Sequence, residues 1–215
     1  MLRQLIVALL AFQLYYWGVN FIGAGTLEAR EPLAFNVIFS FWLAMEAYRV
    51  RLGHSEKSQT FGFVSRMFLL ISFFSVALGL YDASTRGGFA GLLPVDRSFL
   101  PGVALLLGGI YLRHLSIKTL GRFFVTKVQI TDGHQLVREG IYGLLRHPSY
   151  TGLIVGFLGS MLMIGSVAAL ALFVLIGIPA YYYRIYIEEK ALVGAFGAEY
   201  IDYKANTYAL IPYIY

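Results

Sequence analysis

The chain contains no cysteine, only four histidines, and few charges for its length: 13% of its 215 residues are Asp, Glu, Lys or Arg. The first absence rules out disulfides, thiolate metal sites and a cysteine nucleophile. The second, with no HExxH run and no paired histidine spacing, means that a metal centre is not indicated. The third places the chain outside ordinary soluble domains, which carry about 25% charged residues. No Gly-x-Ser-x-Gly elbow is present, and no glycine-rich turn joins a strand to a helix. A serine hydrolase of the α/β class and a dinucleotide or Rossmann-type fold are therefore not indicated. The net charge of +5 forms no dense basic stripe, so nucleic-acid binding is not indicated either.

What the chain does have is apolar sequence, 58% of all residues. The composition is that of an integral membrane protein. Six runs approach the length of a spanning helix: Leu5–Ile22, Leu33–Val50, Met67–Tyr81, Phe99–Ile117, Tyr150–Ile164 and Val167–Ile187. The expected fold is an all-α polytopic bundle, with the first run retained as a helix because no small-residue cleavage site follows it. If both termini are cytoplasmic, fourteen Lys and Arg residues lie inside and only Arg30, Arg86 and Arg97 outside. That asymmetry sets the expected orientation.

Two polar stretches exceed what connecting helices requires. Lys118–Arg146 carries an Asp-Gly turn signal and is long for a plain loop. The tail after Ile187 mixes charges with aromatics at near-helical spacing, so part of it should be an interfacial helix. The expected units are residues 1–117, the N-terminal helices, and 118–215, a cytoplasmic loop, a helical hairpin and the tail.

The hairpin follows from its connection. Only Gly165 and Ser166 separate the last two apolar runs, which forces them antiparallel. His147 then comes level with Arg184, Tyr150 with Tyr181, and Tyr142 with Glu189. The segment RHPSY, Arg146 to Tyr150, therefore faces RIYIEE, Arg184 to Glu189, at one edge of the membrane. Arg184 and Glu188, four apart, share a helix face, and Glu189 points elsewhere. Pro179 can bend the last helix and open the hairpin's mouth, while Gly152, Gly156 and Gly159 pack its tip. Taken singly, these groups have plainer explanations. Arg146 and His147 suit membrane anchoring, Tyr181 to Tyr183 suit an aromatic belt, and Glu46 suits pairing with Arg49 or Arg66. Together at one depth they form a pocket where a polar cofactor could meet a lipophilic acceptor.

The run LGRFF…VQ…HQLVREGIYGLLRHPSYTG, followed by RIYIEEKALVGAFGAEYIDYK, resembles the isoprenylcysteine carboxyl methyltransferase family over about residues 118–210. Phospholipid N-methyltransferases are more distant relatives. The resemblance implies S-adenosylmethionine as methyl donor and a prenylcysteine-like or other lipid acceptor from the bilayer. It assigns the donor to Gln129, His134, Gln135, Leu136, Val137, Tyr142, His147, Pro148, Ser149, Tyr150 and Glu188, and the acceptor to Arg184. Arg184 and Glu188 are the expected catalytic pair. Other acceptors stay open at this point, a phospholipid amine or a small thiol. A reductase using NADPH and sharing only the hairpin also stays open.

Overall fold

The computed structural model describes residues 10, 12–14, 16–18, 31–52, 59–84, 95–123 and 136–213. Among these the protein is helical, with no β-strand and one isolated parallel bridge between Leu145 and Tyr208. Four long helices, α1 (Glu31–Leu52), α2 (Gln59–Ser84), α3 (Val95–Leu120) and α4 (Pro148–Ile164), precede α5 (Val167–Phe196) and a short α6 (Ala198–Ala205). Helical residues 12–14 and 16–18 pack on α1 through Phe12 and Phe35. In an apolar surrounding, backbone groups must be satisfied within the segment, which is why each apolar run becomes a helix.

Among the described residues, two helices are long and apolar enough to cross a membrane, Arg97–Leu120 and Val167–Phe196. Both turn much of their apolar surface outward: Leu100, Tyr111 and Leu175 stand more than 60% exposed. That pattern suits lipid as the surrounding medium and not water. Ala34–Glu46, Leu70–Asp82 and Pro148–Ile164 form shorter apolar stretches. The first of the six expected runs lies mostly outside the described residues.

The reversal after α4 is built as its sequence requires. Gly165 adopts the left-handed conformation (φ 72°) that closes a helix without a Cβ penalty. Ser166 caps α5 by accepting from the Ala169 amide at 3.2 Å, and its hydroxyl donates to Asp82 of α2 at 2.7 Å.

The glycines of α4 do something other than expected. They do not pack the tip of the hairpin against α5. Gly152 and Gly159 instead press against α3, and Gly156 receives the Trp42 ring of α1. A Cβ on Gly109 would lie 2.5 Å from the Gly152 carbonyl oxygen, and one on Gly159 would lie 2.5 Å from the Leu106 amide nitrogen. Small residues on both helices let the two backbones touch. Within the hairpin, close backbone approach is confined to the bend, and α5 leans on α2 instead. Residues Phe173–Gly177 of α5 form a π turn just before Pro179. Such a turn inserts an extra residue and relieves the missing proline donor. An aromatic series fills the space thus left, Trp42, Phe157, Phe173 and Tyr181, with successive centroids 4.9, 5.7 and 6.1 Å apart.

The α3–α4 contact makes a sharp prediction. Gly109→Ala should destabilise the protein by about 1–3 kcal/mol. Gly108→Ala, whose Cβ meets nothing within 4 Å, should be neutral or better. Thermal unfolding in detergent checks both, and equal effects would refute the backbone contact.

Candidate functional site

The mouth of the hairpin gathers the two polar segments. Pro148 starts α4 at its first position, where a missing amide hydrogen costs nothing, and Tyr150 projects from that first turn. Its hydroxyl accepts from Arg184 Nε at 2.6 Å and donates to Glu188 Oε2 at 2.5 Å. Arg184 lies over the Tyr150 ring, 5.3 Å from its centroid, and is itself buried. Arginine and glutamate are thus connected through a phenol that stands between them. His147 stacks with the Tyr150 ring at 5.7 Å.

The register differs from the level pairing in an instructive way. Tyr150 and Tyr181 do meet, ring to edge at 6.2 Å. His147 faces Glu189, however, and Tyr150 reaches on to Arg184 and Glu188. Side chains lean toward the N-terminus of their own helix. On antiparallel helices they lean past each other, so the partners lie about one turn later along α5. The π turn adds one residue to the same offset. Tyr181 is also no part of an exposed belt. It is fully buried, while Tyr183 faces outward.

Glu189 is the residue that sequence reasoning undervalued. It accepts from Arg146 Nε at 2.8 Å and Lys204 Nζ at 2.5 Å, and stands 3.3 Å from His147 Nε2. Arg146 further donates to the carbonyls of Lys204 and Thr207. The chain after α6 then runs beside the corner as a strap. The Arg146 amide donates to the Tyr208 carbonyl at 2.8 Å, the His147 amide to the Ala209 carbonyl at 3.0 Å, and Thr151 Oγ1 to the Leu210 carbonyl at 2.8 Å. Arg146 is therefore a structural hub and not a surface anchor. The signal was present in the sequence as a second acidic residue, Glu189, with Lys204 fifteen residues on.

Tyr142, in the 3₁₀ turn Gly140–Gly143, is buried; its carbonyl accepts from the Tyr203 hydroxyl at 2.7 Å. Burial first, and the Glu188 carboxylate second, raise its phenol pKa and keep it protonated. Burial likewise pushes Tyr203 up to about 12, so it remains a donor. Arg138 ties the segment after Val137 to α6, pairing with Glu199 at 3.2 Å and Asp202 at 3.5 Å. Of the expected donor-binding residues, Tyr142, His147, Pro148, Ser149, Tyr150 and Glu188 converge on this corner, and Leu136 and Val137 lead into it. Gln129, His134 and Gln135 lie outside the described residues. Glu46 has a partner not foreseen from its neighbours, Arg113 of α3, whose Nη2 approaches to 2.6 Å.

The sequence and the fold can be set beside known proteins. Residues 102–194 match the isoprenylcysteine carboxyl methyltransferase (ICMT) family. The protein-S-isoprenylcysteine O-methyltransferase of Saccharomyces cerevisiae is 35% identical over 115 residues, 53% of this chain and 48% of the yeast protein. That of Tribolium castaneum is 32% identical over 128 residues, 59% of this chain and 46% of its own. A probable enzyme of that name from Oryza sativa subsp. indica is 31% identical, over 53% and 60%. The chain thus spans about half the length of the curated relatives it matches. A solved structure of the eukaryotic intramembrane Ras methyltransferase ICMT superposes with a TM-score of 0.54 at 20% identity, covering 99% of this chain and 86% of that one. The fold is therefore that of the ICMT membrane bundle.

If Glu189 anchors the strap, Glu189→Gln should raise amide hydrogen exchange at residues 206–210 about tenfold or more. Glu188→Gln should leave exchange there unchanged. Equal exchange in both variants would remove Glu189 from this role.

Proposed function

We propose that the chain is an integral membrane methyltransferase that esterifies the carboxylate of an isoprenylcysteine-like lipophilic acceptor, with S-adenosylmethionine as donor. The observation that carries this reading is the Arg184–Tyr150–Glu188 relay at the mouth of an ICMT-type fold. In this reading the bundle has six spans, both termini and the corner are cytoplasmic, and residues 118–215 form the methyltransferase core. Gln129, His134, Gln135, Leu136 and Val137 complete the donor site from the loop.

The residues present fit such a donor. Glu188 is half-buried, accepts from the Tyr150 hydroxyl, and its charge is felt at the Tyr142 phenol, so an anion stands beside aromatic side chains. That combination suits a molecule bearing an ammonium and a sulfonium. When bound, S-adenosylmethionine supplies an electrophilic methyl group. The chain's own contribution is alignment and exclusion of water, where most of the barrier to an in-line displacement lies. Arg184, oriented through Nε by Tyr150, is the group assigned to the acceptor carboxylate. A carboxylate is already ionised at neutral pH, so no general base is needed. Glu188 serves the donor on one side, and through Tyr150 it holds Arg184 on the other.

Transfer of labelled methyl groups to lipid extract or farnesylcysteine in bilayers tests the assignment. The labelled product should be base-labile, as an ester is. A base-stable product would mean methylation of nitrogen or sulfur and would overturn the acceptor class. Arg184→Ala should raise the acceptor KM at least tenfold while changing donor affinity by less than about threefold. Glu188→Gln should show the opposite pattern. A reversed division would contradict the roles given to the two residues.

A further inference from the structure

One charged network at the corner takes no part in the relay. Arg113 of α3 donates through Nε and Nη2 to the two carboxylate oxygens of Glu46 on α1, at 2.7 and 2.6 Å. Through Nη1 it donates to Ser149 Oγ at 2.6 Å. Both charged side chains are largely buried, 11% and 14% exposed. The network ties α1 and α3 to the first turn of α4, between Pro148 and Tyr150. Buried ion pairs contribute little net stability, because desolvation offsets their attraction. A membrane-surface anchor would point its charge outward, and this one points in.

The direction of the third bond decides what Ser149 does. A guanidinium only donates, so Ser149 Oγ is an acceptor toward Arg113. Among the described residues the Ser149 hydroxyl proton has no acceptor. A hydroxyl whose oxygen receives a charged donor is polarised and becomes the stronger donor in turn. Glu46 holds the guanidinium fork in place by a bidentate contact and balances its charge.

We propose that Glu46 and Arg113 are positioning residues. They fix Ser149 as a hydrogen-bond donor toward an acceptor oxygen of the methyl donor, and they hold the turn from which Tyr150 projects. This rests on the assignment of S-adenosylmethionine to the corner.

The test is a double-mutant cycle on the purified full chain in bilayer discs, reading S-adenosylmethionine affinity by calorimetry. Arg113→Met and Ser149→Ala should each weaken binding about tenfold, and the double variant should be no worse than either within about twofold. Ser149→Thr, which keeps the hydroxyl, should bind as the wild type does. Should Arg113→Met fail to fold, the isosteric Glu46→Gln replaces it in the cycle with the same expected non-additivity. Multiplying losses, or a Ser149→Ala variant of unchanged affinity, would overturn the positioning role and leave the donor assignment standing. A wild-type chain with no affinity for S-adenosylmethionine would overturn that assignment and this inference together.

Discussion

The Tyr150 hydroxyl is the point on which the C-terminal half depends. It sits between a cation and an anion that share a face of α5, accepting from one and donating to the other. A phenol is suited to this place because it has one proton to give and lone pairs to receive. With the hydroxyl present, a buried cation and a half-buried anion are linked through one phenol oxygen. The rest of the corner keeps that hydroxyl in position. Pro148 sets the start of α4, His147 stacks on the ring, and the glycine contact with α3 seats the helix itself.

Around this centre the molecule separates two acidic residues that adjoin in sequence. Glu188 turns to the Tyr150 hydroxyl at the mouth. Glu189, one hundred degrees around the helix as any next residue is, turns to Arg146, His147 and Lys204. One carboxylate belongs to the relay with Tyr150 and Arg184, and the other is consumed by the strap. The strap's parallel run beside Leu145 and Arg146 satisfies backbone groups that an irregular corner would otherwise leave unpaired.

Much of this was legible in the residues. The Gly165–Ser166 break fixed the hairpin, and the hairpin brought RHPSY to RIYIEE, because two residues between apolar runs allow no other path. The pairing across the mouth was legible only to within a turn, since the lean of side chains and the π turn at Phe173–Gly177 both shift contacts along α5. Helix partners were less legible still. Gly152 and Gly159 announce close packing but not against which helix, and α3 became their partner because Gly102 and Gly109 offer matching gaps. Glu46 likewise found Arg113 across sixty-seven residues of chain, a distance over which local spacing carries no information.

The most direct test of the central claim is a structure determined with S-adenosylhomocysteine, the spent form of the donor. The account predicts that its amino-acid end lies against Glu188 and Tyr150, with its sulfur turned toward Arg184. A ligand seated at the opposite end of the bundle, beside Asp82 and Ser166, or one touching neither Glu188 nor Tyr150, would contradict it.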